Sequence, residues 1–168
     1  MRTALWSYAS RITGIPAERI LWLNFNQSTP PRPYATIQII NSTTNNPAHT
    51  PVDAEGIATM HADTLLTLQI QVYADSTPFE AFDTANLAGQ RAKLITEQQQ
   101  LRADGLALVD VLAVNDAPAL IGTEWESRAI IDLQLRTLTT LVDEVGLIER
   151  VEIEGDVQGI NVNVQTEV

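Results

Sequence analysis

Residues 124–155, EWESRAIIDLQLRTLTTLVDEVGLIERVEIEG, are the stretch around which the rest of this chain is read. Ala129, Ile131, Leu133 and Leu135 fall on one face of an extended backbone, and Arg128, Ile130, Asp132, Gln134 and Arg136 fall on the other. That period of two is the signature of a strand with one face in a core. Val151 and Ile153 repeat it between Arg150, Glu152 and Glu154, so the stretch predicts two successive strands. No catalytic motif lies in or near it. The residues alone lead to a soluble, acidic α+β domain.

Downstream, residues 156–168 alternate Ile160, Val162 and Val164 with Asn161, Asn163 and Gln165, a pattern for a last strand or an ordered arm. A polar-faced terminal strand is a natural partner for a neighbour's sheet edge. Upstream, Leu106 to Val114 is a β-branched apolar run that predicts a strand, with a turn over Asn115–Pro118. Before it, Ser76, Thr77 and Pro78 form a helix start, with Glu80 and Asp83 where the positive end of the helix dipole favours carboxylates. The helix is expected over 78–95. Phe82, Ala85, Gly89, Ala92 and Ile95 trace one side of it, and the small residues midway allow close approach to a sheet. The segment TEQQQLRADG either continues this helix or forms a short second one that Gly105 closes.

Toward the N-terminus, Leu66, Leu68, Ile70 and Val72 alternate cleanly with Thr67, Gln69, Gln71 and Tyr73, and Gly56–His61 leads into that strand. Residues 41–55, NSTTNNPAHTPVDAE, are polar and turn-rich and read as a long exposed loop, a kind of segment that often carries contacts. Pro30, Pro31 and Pro33 give a stiff extended lead-in to a strand over Tyr34–Ile40. Ile20–Leu23 is either a buried strand or the closing edge of a turn. Leu5, Tyr8, Ala9 and Ile12 recur at helical spacing and Gly14 supplies a left-handed stop, so a helix is expected over 3–13. Trp6 and Trp22 read first as core aromatics and second as a partner-binding face. The fold expected is α+β: a mostly antiparallel mixed sheet with two main helices packed on one side, a single domain over 1–155, and a C-terminal strand or arm over 156–168.

Composition narrows function mainly by exclusion. The 168 residues suit one hydrophobic core, and the 45% apolar content is that of a globular protein. With no cysteine there is neither a disulfide framework nor a thiolate metal site. A net charge of -11, with ten scattered basic residues, argues against a phosphate grip on nucleic acid. MRTALWSYASRITG lacks the apolar core of a signal peptide, and no run reaches the roughly 20 apolar residues of a membrane span, so a cytosolic product is expected.

Neither His49 nor His61 has a ligand partner at metal-binding spacing, so no metal or cofactor is expected. There is no G-x-S-x-G, and the glycines stand singly, without a phosphate loop. The pairs Glu124/Glu126, Asp143/Glu144 and Glu152/Glu154 could in principle be catalytic acids, but no aromatic sugar platform lies near them. A solvated face is the plainer reading, and no catalytic residue is assigned. Asp132 between Arg128 and Arg136 suggests same-face or cross-strand ion pairs.

The N-terminal amphipathic helix, PRPYATIQI, LTLQIQVYAD running into a helix, EWESRAIIDLQLR and DEVGLIERVEIEG together resemble the tail terminator, or neck terminator, proteins of long-tailed bacteriophages. The resemblance spans about Thr3 to Gly155. It departs from the family in the polar segment 41–55 and beyond Gly155. It implies a structural virion protein, not an enzyme, assembled in the host cytoplasm and placed in the tail or neck. It further implies a homo-hexameric ring that caps the tail tube, ends its polymerisation and forms the joint to the head connector or stopper, with sheath as a further partner in a contractile tail. DNA would pass the lumen without specific binding, which an acidic lining favours by repulsion, and no membrane partner is implied. On this resemblance the charged side of the opening strand, Arg128, Asp132 and Arg136, becomes a candidate subunit interface, with an ordinary solvated sheet face as the alternative. Two other readings stand beside it: another head–tail joining protein, such as a stopper or tail-completion subunit, and a small acidic enzyme or ligand-binding domain.

Overall fold

A computed structural model describes residues 1–45, 51–75, 80–146, 150–157 and 160–167. The chain runs α1 (Arg2–Thr13), β1 (Ile20–Trp22), β2 (Tyr34–Asn45), β3 (Ile57–Ala74), α2 (Glu80–Ala92), α3 (Ile95–Ala103), β4 (Leu106–Asp116), β5 (Ala119–Ile121), β6 (Glu124–Glu144), β7 (Arg150–Val157) and β8 (Ile160–Glu167). It divides into two compact units: Met1–Asn46 with Asp63–Thr139, and Pro47–Ala62 with Thr140–Val168.

The first unit is built on one sheet in the order β1-β2-β3-β6-β4, with β5 also paired to β6. β1 is parallel to β2, while β2 with β3 and β4 with β6 are antiparallel. One face of the sheet is the core. Ala35 and Ile37 from β2, Leu68, Ile70 and Val72 from β3, and Ala129, Ile131, Leu133 and Leu135 from β6 are all completely buried. These are the positions that the alternation singled out, and each aliphatic side chain so buried contributes roughly 1.5–3 kcal/mol to the hydrophobic term. The fold is thus the α+β class read from the sequence, with a mixed, mostly antiparallel sheet.

The helices supply the other side of this core. Leu5, Tyr8, Ala9 and Ile12 of α1 are buried in it. Gly14 ends α1 in the left-handed conformation, φ 74°, with its N–H donated to the Ser10 carbonyl. On α2 the buried residues are Ala81, Ala85, Ala88, Gly89 and Ala92, none larger than alanine. A Cβ placed on Gly89 would stand 3.1 Å from Ile131 Cδ1 and 3.2 Å from Val111 Cγ1. Any side chain at that position would press on both, so the helix seats close against the sheet. α3 adds Leu101, and Arg11 Nε of α1 is 2.8 Å from Glu97 Oε2 of α3.

Several expectations change. Of the two readings left open for TEQQQLRADG, the separate short helix holds: the backbone turns at Lys93–Leu94 and α3 follows as a third helix among the described residues. The expected start at 76–79 lies outside the described residues. The expected loop over 41–55 begins later: β2 continues through Asn45, pairing Thr43 with Leu65 and Thr44 with Thr64, whose hydroxyls are 3.0 Å apart. Polar β-branched residues there make a strand exposed on both faces rather than a loop. Residues 46–50 of that segment, with His49, lie outside the described residues. Gly56–His61 and the strand that follows are one element, the 18-residue β3. β4 extends to Asp116, so the expected turn shrinks to Ala117–Pro118. Ile20–Leu23 resolves as a strand with Ile20 buried.

The second unit contains the ends of β3 and β6 and an antiparallel β7–β8 pair, with Glu152 opposite Gln165 and Gly155 opposite Val162. The tail beyond Gly155 is thus half of a hairpin within its own chain. Within this unit, Val145 and Gly146 donate their N–H groups to the Gly56 carbonyl at 3.1 and 3.0 Å, and His61 Nδ1 lies 3.1 Å from Thr140 Oγ1.

Candidate functional site

With the helices on one face of the sheet, the alternate residues of β2, β3 and β6 form a second face, and this one is polar. Tyr34, Thr36 and Gln38 of β2 stand in register with Tyr73, Gln71 and Gln69 of β3. The two tyrosine rings stack, with centroids 4.5 Å apart and planes 6° from parallel. Cross-strand pairs of this kind are the stabilising unit of a sheet. β6 then lays Arg128 over Tyr73, its guanidinium carbon 5.3 Å from the ring centroid.

Hydrogen bonds tie these side chains together across three strands. Gln69 Oε1 accepts from Gln38 Nε2 at 2.8 Å and from Gln71 Nε2 at 2.7 Å. Gln69 Nε2 donates to Asp132 Oδ1 at 3.0 Å. Gln71 Oε1 accepts from Tyr73 Oη and from Arg128 Nη2. At one end Arg32 pairs with Glu126, whose carboxylate side chain is only 7% exposed. Burial, reinforced by the Glu126 carboxylate and by Tyr73, pushes the Tyr34 phenol above its ordinary value. The direction of contact, Gln71 to Arg128 and Gln69 to Asp132, sets β3 and β6 antiparallel.

The three candidate interface residues thus have different surroundings. Arg128 is half-buried on Tyr73 and Gln71, and Asp132 is held by Gln69. Neither ion-pairs with the other in the described structure. Residues four apart on a strand lie about 13 Å from each other, and both find closer partners on the adjacent strand. Arg136 does form the cross-strand pair expected for this face, with its Nε 3.2 Å from Asp63 Oδ1, and its side chain is 58% exposed. Of the three, it is the one that reaches solvent.

Arg32, Tyr34 and Tyr73 were not singled out from the sequence, and Glu126 was named only as half of a carboxylate pair. Tyr73 and Glu126 did carry a signal, since each sits on the polar phase of an alternating strand where a solvated residue was expected. Glu124 and Glu126 do not converge on a shared site. Glu126 turns inward to Arg32 while Glu124 is exposed, and Asp143 and Glu144 are exposed at the end of β6. Glu152 and Glu154 lie on β7. Among the described residues no group of three His, Cys, Asp or Glu is placed to hold a metal, and no helix is long and apolar enough to cross a membrane. Trp6 and Trp22 are half-buried against the core, and Trp6 Nε1 donates to the Ile20 carbonyl at 2.8 Å. The third tryptophan, Trp125, is 63% exposed opposite Leu120 on the β5–β6 hairpin.

Chemically, this is a braced polar surface. Its carboxylates Glu126, Asp132 and Asp63 are occupied by Arg32, Gln69 and Arg136, and among the described residues nothing in it pairs a nucleophile with a base. Compared with known families, the chain matches phage neck terminator proteins over residues 1–163. None of the curated proteins compared with it matches.

Proposed function

Because this chain belongs to the phage neck terminator family, a structural family of the head–tail joint and not one of enzymes, we propose that it acts there as a homo-hexameric ring seated on the last ring of the tail tube. In this reading the ring ends tube polymerisation and presents its other face to the head connector or stopper, with sheath as a further partner if the tail contracts. Assembly takes place in the host cytoplasm before the protein takes its place in the virion. The observation that carries the reading is the family match over residues 1–163.

Subunits meet through the side of β6 that bears Arg128, Asp132 and Arg136. Arg136 reaches across, while Arg128 and Asp132 hold the shape of the face through Tyr73, Gln71 and Gln69. A heterologous contact of this kind closes into a ring when its rotation closes. The net charge of -11 suits a DNA conduit, since carboxylates facing the lumen repel the duplex and keep it from sticking.

Deleting the gene from its phage or prophage tests the central claim. Tails of uncontrolled length are the expected result. Headless tails of normal length would replace the terminator with a stopper or tail-completion subunit. For the conduit, neutralising lumen carboxylates should slow DNA ejection, and unchanged ejection counts against it.

A further inference from the structure

Charge is divided unevenly along this chain. The unit Pro47–Ala62 with Thr140–Val168 holds nine carboxylates against one basic residue, Arg150, while the other nine basic residues belong to the unit Met1–Asn46 with Asp63–Thr139. Two features stand out on this division, one in each unit.

The first is the end of β6 with the residue that follows it, residues 141–145, LVDEV. Successive residues of a strand point to opposite faces, yet Leu141 is 51% exposed and Val142 66%. Both faces of this strand end therefore carry exposed apolar side chains. Val52, Ala58 and Met60 complete a mainly apolar hollow of about 640 Å³ beside it, and Asp143 and Glu144 are exposed within the same five residues. Contiguous exposed apolar surface rimmed by charge marks an interaction site.

The second is a groove of about 400 Å³ in the other unit, where α3 ends and β4 begins. Leu106, Ala107 and Leu138 form its apolar lining, and Arg102 and Arg136 stand at its rim. Leu138 is 63% exposed. Asp63 offsets Arg136 in part, whereas Arg102 is exposed and its described partner is the neutral Gln98, at 3.4 Å. β4 is also the last strand of its sheet, so its outer backbone edge has no strand beside it.

We propose that the LVDEV strand of one copy docks in the Arg102–Arg136 groove of the next. The contact is head-to-tail, with Leu141, Val142 and Val145 meeting Leu138 and Ala107, and Asp143 and Glu144 meeting the two guanidiniums. The occupant is a second copy because each side supplies what the other lacks: an acidic strand end with exposed apolar side chains on both faces, and an apolar groove with arginines at its rim along an open strand edge. Two chains of charge -11 repel on average, so association needs a local pairing of opposite sign. The contact rests on the ring reading and names its two faces.

Charge exchange in a gene-deleted phage, complemented with the full chain, tests it. The groove variant Arg102→Glu/Arg136→Glu and the strand variant Asp143→Arg/Glu144→Arg should each fail alone to restore normal-length tails. Co-expressed, they should restore them, because groove and strand are then complementary at every contact of an alternating ring. Full rescue by either variant alone overturns the pairing and leaves the ring reading standing. Failure of the co-expressed pair, with both purified chains keeping wild-type circular dichroism and melting, also overturns it and points to the tail tube protein as the occupant. A deletion that leaves tails unchanged overturns the ring reading itself. Should loss of the Arg136–Asp63 bridge unfold the groove variant, Arg102→Glu with Glu144→Arg carries the same exchange.

Discussion

Tyr8 is completely buried in the core, and its hydroxyl has no hydrogen-bond partner among the described residues. Burial, with a smaller contribution from the Glu97 carboxylate and an opposing one from Arg11, pushes its phenol well above the ordinary value of 10.0. In the unfolded chain the phenol ionises near that value, while the folded chain keeps the proton to higher pH. Below about pH 10 both states are neutral and the contribution is complete; above it the unfolded state binds fewer protons and stability falls as pH rises. Tyr8→Phe should leave stability at pH 7 unchanged, or raise it by up to about 1 kcal/mol, because an unsatisfied buried hydroxyl is removed. It should also flatten the decline above about pH 10 in urea melts. At the other end of the sheet, Arg32→Met strands the buried Glu126 carboxylate and should cost about 1–3 kcal/mol. Adding Glu126→Gln should recover most of that loss in the same melts. Tyr8 itself was legible as a core residue from helical spacing. Neither the isolation of its hydroxyl nor the pairing of Arg32 with a residue 94 positions away has any local signature.

At the scale of elements, the seating of α2 depends on the absence of a side chain. Gly89→Leu would drive a side chain into Ile131 and Val111, both already within about one carbon radius of contact, and should cost about 1–3 kcal/mol by thermal or urea unfolding. Secondary structure by circular dichroism should stay largely intact. The small-residue side of this helix was readable from Ala85, Gly89 and Ala92, and the core phases of β3 and β6 were readable from alternation. Ends and breaks were less so. Asn41–Asn45 looks like a loop because its residues are polar, and it is a strand because β3 offers hydrogen-bond partners from Asp63 to Thr67. The division between α2 and α3 falls in a stretch whose residues favour helix on both sides, so propensity alone left both arrangements open.

At the scale of the whole molecule, chain mass and charge are the quantities to measure. Light scattering on the purified protein should report six times 18.4 kDa, and a single-chain mass persisting on isolated tail tubes would remove the ring. The exposed pair Leu120 and Trp125 adds an apolar surface on the β5–β6 hairpin. The acidic character of this protein was plain from composition, but its concentration in one unit was not, because that unit is assembled from two segments far apart in sequence.

The sequence by itself determined that the class is α+β and the core phases of α1, β3 and β6, although Ile95, expected on the inward side of α2, is 75% exposed at the start of α3. Both follow from the period of two or of 3.6 with which apolar residues recur, a property of neighbours along the chain. Only the tertiary structure decided what the polar residues became: Arg128 laid on Tyr73, Asp132 held by Gln69, Glu126 buried under Arg32, and Arg136 left reaching into solvent. Those partners come from the register of β2, β3 and β6, and register is set by packing the whole apolar face at once.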